Sequence, residues 1–236
     1  MSDLFTHPFL LNLFVEKGRN MKAKQDKKEN IRKQIISASY VYRNKLAGKV
    51  FLYVFGNEYF EVVFQTDRFK HLTGVNSELN AQDFYEKAKD STLTTDQICF
   101  DQTHYYSGAK KKLSCLHQLP ALTNDLVCVV KGMQTVTLTY KIGVTNLDFT
   151  LGLAENIDFE GNKINDWYLP RTLRVRDKAV ENSDDSEFIN FIFSKDASND
   201  KYATIMYAEK GKQVPLSIKN LLNKSLVEYL YDTMQV

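Results

Sequence analysis

The stretch that decides the fold spans residues 50–64 and reads VFLYVFGNEYFEVVF. It contains two runs of β-branched and aromatic residues on either side of Gly56-Asn57-Glu58, a pattern typical of a β-hairpin. The first run, residues 50–55, is apolar at every position. A strand with no polar side needs cover on both faces. The sequence therefore predicts an inner strand followed by its hairpin partner.

The segment before the hairpin carries apolar residues at helical spacing, namely Ile31, Ile35, Ala38, Tyr42 and Leu46. With Gly48 as a stop signal, this spacing predicts a helix over residues 26–47 that lies on the sheet. The apolar start of the chain, residues 1–15, predicts a short packed helix. It is shorter than the roughly 20 apolar residues that cross a bilayer, and no basic flank of a signal peptide precedes it, so no membrane contact is expected.

Helix signals and then strand signals follow the hairpin. Asn80 can cap a helix that runs to about residue 90, and a further helix over residues 109–119 should end at Pro120. Strand patterns occur at residues 126–131, 135–142, 147–153, 167–175, 188–194 and 203–208, and residues 180–187 form an acidic segment typical of a loop. The last apolar periodicity, between Leu216 and Leu230, predicts a closing amphipathic helix.

This order of elements predicts the fold class. Helices followed by a run of strands, without βαβ alternation, indicate an α+β fold in which N-terminal helices precede a mostly antiparallel β-sheet and a C-terminal helix closes the chain. We expect residues 1–30 to form an N-terminal helical and basic extension. Residues 31–236 should then form a single α+β domain.

The composition excludes several classes of protein. With 43% hydrophobic and 25% charged residues among 236, the chain is neither disordered nor a small disulfide framework. Its net charge of +2 favours no partner by itself, although residues 16–34 contain eight basic and three acidic residues. Such a segment is either a solvated helix face or a nucleic-acid contact. The three cysteines show no C-x-x-C spacing, which argues against a zinc site and for a cytoplasmic protein.

Several catalytic motifs are missing from the sequence. We find no phosphate-binding G-x-x-x-x-G-K-[ST], no dinucleotide-binding G-x-G-x-x-G, no H-E-x-x-H and no G-x-S-x-G. The four histidines are too scattered to indicate a metal site. We therefore expect neither a cofactor nor a bound metal.

Residues 69–74, Phe-Lys-His-Leu-Thr-Gly, form the first cluster with chemical potential. His71 stands between a lysine and a threonine, and an imidazole can donate or accept a proton near neutral pH. The alternative is a histidine that is hydrogen-bonded within a turn, with Gly74 supplying an unusual backbone angle.

Residues 168–176, YLPRTLRVR, form the second cluster. Arginine side chains at 171, 174 and 176 can each offer a planar, charged fork to a phosphate. Alternation along a strand would place Arg174 and Arg176 on one face and Arg171 on the other, unless Pro170 breaks the register. The alternative is an ordinary strand that faces solvent.

Together these segments resemble a known family. The helix, FGNEYFEVVF at residues 55–64, FKHLTGV at 69–75 and YLPRTL at 168–173 are similar to a phage-associated group of barnase–EndoU–colicin–RelE-like nucleases. Residues 168–173 look like the "Pro-Lys-Ser-Leu"-type element of that group, with Arg171 in place of the lysine and Thr172 in place of the serine. The resemblance covers roughly residues 31–209.

The resemblance implies metal-independent cleavage of RNA, in which the ribose 2′-hydroxyl attacks the neighbouring phosphorus and leaves a cyclic phosphate. The resemblance also implies that the protein acts in the cytoplasm of a bacterial host cell. The implied catalytic residues are His71, Arg171 and Thr172, and the implied substrate-binding residues are Lys70, Thr73, Arg174 and Lys195. A carboxylate partner for His71 does not stand out, although Glu58 and Glu61 are near in sequence.

Two other functions stay open at this point. The first is a non-catalytic phage or mobile-element protein that binds and inhibits a host defence complex, as anti-CRISPR proteins do. Its partner would be a host or phage protein, and the basic residues 17–33 or the acidic residues 184–187 would form its interface. The second, a sequence-specific DNA-binding regulator, is weaker because no helix-turn-helix with a basic recognition helix is apparent.

Overall fold

The computed structural model describes residues 8–134, 139–176, 183 and 185–232. The α-helices are α1 (Pro8–Lys45), α2 (Phe69–Thr73), α3 (Ala81–Lys89), α4 (Tyr106–Leu116) and α5 (Lys224–Val227). The strands are β1 (Lys49–Phe55), β2 (Glu58–Val63), β3 (Cys128–Gln134), β4 (Thr139–Thr145), β5 (Phe149–Ile157), β6 (Lys163–Val175), β7 (Asp185–Phe188), β8 (Phe191–Asp196) and β9 (Thr204–Ala208). Short 3₁₀ helices cover Thr66–Arg68, Thr95–Gln97, Leu119–Thr123 and Leu216–Leu221.

The nine strands form one sheet in the order β7-β3-β4-β5-β6-β2-β1-β8-β9. All neighbours are antiparallel except β2 and β6, which run parallel. Parallel strands need a long connection, and here the chain forms α2, α3, α4 and β3 to β5 before it returns as β6 beside β2. The predicted α+β fold is confirmed.

The β1–β2 hairpin lies inside the sheet, between β6 and β8, as its apolar sequence predicts. On one side of β1, Phe51, Tyr53 and Phe55 pack with the helices; we call this side of the sheet the helix face. On the other side, which we call the far face, Val50, Leu52 and Val54 pack with residues near the C-terminus. Both faces are covered, which is why β1 has no polar position.

The predicted helix before the hairpin is confirmed but extends further than expected. Ile31, Ile35 and Tyr42 are buried against the sheet. The short helix expected over residues 1–15 is not a separate element, because α1 continues without a break from Pro8, while residues 1–7 lie outside the described part. Helix-favouring residues surround Gly18, and one interior glycine costs only about 1 kcal/mol. The expected boundary between residues 30 and 31 therefore falls inside α1.

One strand also differs from the predictions. Residues 185–188 form β7 and pair with β3 at the edge of the sheet, although residues 180–187 were expected to be an acidic loop. Charged residues are common in edge strands, where they oppose aggregation, so acidity was a poor guide to structure here. Residues 135–138, the first part of the strand expected over residues 135–142, lie outside the described residues.

The closing helix is broken into short pieces. Residues Leu216–Leu221 are a 3₁₀ helix, α5 follows, and a π-helical turn covers Glu228–Asp232. Leu222 is extended and forms a β-bridge with Tyr202. The side chain of Asn223 then accepts a hydrogen bond from the Leu226 amide and starts α5. The bridge at Leu222 thus interrupts the predicted single helix, and the Asn223 cap starts its next piece.

The predicted cap of α3 is confirmed, since the Asn80 side chain accepts a hydrogen bond of 2.8 Å from the Asp83 amide. Helix α4 begins at Tyr106, three residues earlier than predicted. Among the described residues, no helix has the length and apolar character needed to span a bilayer.

Candidate active site

Helix α2 presents His71 at the surface of the helix face. Phe69 and Leu72 are fully buried and anchor this short helix in the core, which leaves the intervening His71 exposed. Gly74 ends α2 with a φ of 74°, a left-handed conformation that glycine adopts without strain. The unusual backbone angle expected at Gly74 is confirmed.

Strand β6 contains a β-bulge at Arg171. Across the β5–β6 ladder Gly152 pairs with Thr172, but Leu153 pairs with Pro170, so Arg171 has no opposite residue. Pro170 has no amide hydrogen to give to the ladder, which favours a break at this point. As a result Leu169 packs on the far face and Leu173 on the helix face, although both are odd-numbered. Pro170 does break the register.

The bulge and α2 bring Arg171 close to His71. Helix α2 packs against β6, and the positive charge of Arg171 acts on the imidazole. The main cause that lowers the pKa of His71 is desolvation, because nearby protein atoms disfavour the imidazolium even though the side chain is exposed. Arg171 and Arg68 lower this pKa further by repulsion. His71 is therefore neutral at neutral pH and ready to accept a proton.

Lys112 of α4 adds a second cation beside α2. Its aliphatic chain crosses Gly74, where a Cβ atom would lie 2.7 Å from Lys112 Cδ. Burial lowers the pKa of the Lys112 ammonium, and the nearby Arg174 lowers it further. In the part of the chain that the structure describes, no carboxylate forms an ion pair with Lys112 or Arg171. Both side chains can therefore attract an anion.

Asp67 is the acidic residue that sequence reasoning missed. It precedes His71 by one helical turn, and its negative charge raises the pKa of His71 against the effect of the arginines. Asp67 Oδ2 forms an ion pair with Arg68 Nη2 at 3.1 Å, whereas Asp67 Oδ1 is buried and has no hydrogen-bond partner among the described residues. The Asp-x-x-x-His spacing is the signal that could have identified it.

The two glutamates considered from the sequence do not serve His71. Glu58 lies 3.4 Å from the ammonium of Lys131. Glu61 accepts a hydrogen bond from the Tyr202 hydroxyl, and Tyr202 belongs to the far face. Asp67 is thus the carboxylate that acts on His71.

The other residues of α2 in the predicted site stabilise the turn. The Lys70 ammonium donates hydrogen bonds to the carbonyl oxygens of Ser77 at 2.8 Å and Leu79 at 2.5 Å. The buried Thr73 hydroxyl donates to the Lys70 carbonyl at 2.7 Å. These contacts hold the loop after α2 against the helix that carries His71.

The remaining predicted residues divide between the two faces. The charge of Arg174 acts on Lys112, although Arg174 stands between Leu173 and Val175 in the ladder and so lies on the other side of β6 from them. Thr172 is buried and alternates with Leu173, so it faces away from the helices, with its methyl group packed at Gly152. Lys195 is on the far face, where its ammonium lies 4.8 Å from the ring of Tyr202. The structure therefore brings Arg171 to His71, whereas Arg174 acts on Lys112 and Lys195 lies apart from both.

No group of three or more His, Cys, Asp or Glu side chains suited to a metal ion occurs within the described ranges. The three cysteines are free thiols. What the arrangement offers chemically is one neutral imidazole, one nearby carboxylate and several cations at a partly open surface.

Comparison with known proteins identifies the family of the chain. The model of the family described as phage-Barnase-EndoU-ColicinE5/D-RelE like nuclease4 matches residues 34–211, a range that includes both His71 and Arg171. No curated protein and no solved structure matches the chain. Since the match covers more than half of the chain, the resemblance seen in the sequence is confirmed, and the chain belongs to this family of nuclease-like proteins.

Proposed function

We propose that this chain is a metal-independent endoribonuclease in which His71 and Arg171 act on one phosphate. The observation that supports this most directly is a histidine with a lowered pKa beside an arginine that has no carboxylate partner in the described chain. Their elements are remote in sequence, so the fold, not a local motif, brings them together. Membership of a nuclease family supports the same reaction class.

In the proposed reaction neutral His71 is the general base. Its ring nitrogen accepts the proton of the ribose 2′-hydroxyl, and the oxygen then attacks the adjacent phosphorus. The bond from O2′ to phosphorus forms while the bond from phosphorus to O5′ breaks, which leaves a 2′,3′-cyclic phosphate. The leaving O5′ takes up a proton from solvent. Asp67 would stabilise the imidazolium that His71 becomes.

The cations balance the charge that develops on the phosphate. Arg171 can bind two phosphate oxygens at once with its planar fork, and Lys112 adds a positive charge at the end of α2. Removal of one such donor from a preorganised site typically costs about 10²–10³ in rate. Because these side chains can supply the base and the charge balance, the reaction needs no metal.

The other predicted residues would act by positioning. We assign Lys70 and Thr73 the role of holding α2 in place through the contacts described above. Thr172 would fix the bulge that presents Arg171, through its packing at Gly152. The substrate would be RNA in the cytoplasm of a bacterial host cell, and DNA would be inert because it lacks the attacking hydroxyl.

A cleavage assay tests this function. The wild-type chain should cleave RNA in the presence of EDTA and leave cyclic phosphate ends, and it should leave DNA of the same sequence intact. His71→Ala should abolish cleavage while the circular dichroism spectrum is unchanged. His104→Ala, which removes another histidine that carries no proposed role, is the matched control and should retain activity.

The cleavage assay, combined with a pull-down from host lysate, distinguishes the non-catalytic alternative from the nuclease. A wild-type chain that leaves RNA intact but captures one host protein in stoichiometric amount would favour the inhibitor of a host defence complex. Residues 185–187, part of the acidic segment expected at that interface, belong to β7 and pair with β3. No structural observation favours this function over the nuclease.

A further inference from the structure

A groove runs beside the proposed catalytic site, between α4 and the end of β6. Lys111, Ser114 and Gln118 line it from α4, and Asp148 and Arg176 line it from the sheet. Its volume of about 430 Å³ lies within the range usual for ligand sites. We call it the α4 groove.

The α4 groove carries positive charge that the chain neutralises only weakly. Lys111 is exposed and has no ion pair within the described chain. Arg176 Nη2 lies 4.0 Å from Asp148 Oδ1, and both side chains are more than 70% exposed, at 81% and 72%. An ion pair this long and this exposed contributes little stability, so an incoming anion can compete for Arg176. Ser114 and Gln118 supply hydrogen-bonding groups between the two cations.

The α4 groove is built on the same two elements, α4 and β6, that carry Lys112 and Arg171. Lys111 directly precedes Lys112 on α4. Arg176 comes two residues after Arg174, just past the end of β6. At a strand rise of about 3.3 Å per residue, Arg171 and Arg176 are separated by roughly 16 Å along the chain. This length exceeds what a single phosphate needs. A second groove of about 540 Å³, lined by Tyr106 and Lys110, shares Lys111 and Ser114 and extends the path across α4.

We infer that the α4 groove binds the phosphates of the RNA strand that flank the cleaved bond, so that the substrate is a single strand of several nucleotides, not a dinucleotide. This inference rests on the proposed function, and it names the substrate class of that site. A positive groove that follows the backbone is the usual way in which proteins bind single-stranded nucleic acid without sequence preference. Lys111 and Arg176 would set affinity, while His71 and Arg171 would carry out the cleavage.

The test compares Lys111→Ala/Arg176→Ala with the control Lys210→Ala/Lys212→Ala. Both double variants remove two exposed positive charges, but Lys210 and Lys212 follow β9, which lies four strands from β6 at an edge of the sheet. One assay measures kcat/KM for a dinucleotide and for an RNA of about 12 nucleotides, within the site sizes known for single strands. A second assay measures binding of the same strand made of 2′-O-methyl RNA, which has no attacking hydroxyl, at several salt concentrations.

The groove variant should lower the ratio of kcat/KM for the long RNA to that for the dinucleotide by about tenfold, and the control should leave it unchanged. The slope of log affinity against log salt should become shallower by about 1.4, since each phosphate contact in a single strand contributes about 0.7. Equal loss on both substrates, or binding that matches the control, would overturn the inference. If the wild type cleaves nothing, the proposed function fails, and the binding assay still decides whether the α4 groove holds RNA.

Discussion

His71 of α2 lies within electrostatic reach of Arg171, the unpaired residue of the bulge in β6, although 100 residues separate them in the chain. Neither residue would be in this position without its local distortion. Gly74 ends α2 so that the helix stays short, and Pro170 interrupts the ladder so that the strand changes register at Arg171. A helix end and a strand defect together create the cationic site.

Arg171→Ala should raise the pKa of His71, because it removes the repulsion that disfavours the imidazolium. In the wild type this pKa should lie below the ordinary value of about 6.5, so kcat/KM should rise with pH through a midpoint on the acid side of that value. An NMR titration of the His71 ring protons measures the shift without relying on activity. Lys212→Ala is the control for the removal of a positive charge. If the His71 titration curve of Arg171→Ala were identical to that of the wild type, the proximity of His71 and Arg171 would be contradicted.

Asp67→Asn should shift the same titration in the opposite direction. The Asp67 carboxylate raises the pKa of His71, so its neutral amide should lower that pKa and move the acid limb of the activity profile to lower pH. The cleavage rate should fall as well, because the imidazolium formed in the reaction loses its counter-charge. A pKa that rises in Asp67→Asn would show that this carboxylate does not act on His71.

Gly74→Ala should destabilise the protein for two reasons. The φ of 74° strains any residue with a Cβ, and the new methyl group would meet the Lys112 side chain at 2.7 Å. We expect a loss of at least about 1 kcal/mol in the free energy of unfolding by urea.

Gly161→Ala is the matched control for this variant. Its φ is 88°, but no atom lies within 4 Å of the added Cβ, so it reports strain alone. In a double-mutant cycle, Lys112→Ala should reduce the cost of Gly74→Ala but not that of Gly161→Ala. Equal costs in both backgrounds would mean that Lys112 does not cross Gly74 as described.

Much of the fold could be predicted because its signals are local. The apolar run of β1, the turn at Gly56-Asn57-Glu58, the periodicity of Ile31 and Ile35 and the Asn80 cap each act within a few residues. The broken C-terminal helix could not be predicted in this way, since its interruption depends on the bridge between Leu222 and the distant Tyr202. Strand β7 was missed because its pairing with β3, not its composition, makes it a strand.

In the candidate site, too, some residues could be predicted from the sequence and others depend on the packing of distant elements. His71 and Arg171 stand in recognisable segments, so the family resemblance could point to both. Lys112 was not predicted as a site residue, because only the packing of α4 on α2 brings its side chain over Gly74. Lys195 was expected at the site from its place at a strand end, but strand alternation puts it with Phe191 and Phe193 on the far face.

The central claim, that one imidazole and one guanidinium act on the same phosphate, is tested most directly by the cleavage rates of a double-mutant cycle. The kcat/KM of RNA cleavage in EDTA is measured for the wild type, His71→Ala, Arg171→Ala and the variant with both changes. If the two residues act as a unit, the double variant should be hardly slower than His71→Ala alone. Losses that multiply, or a wild type that leaves RNA uncleaved, would contradict the claim.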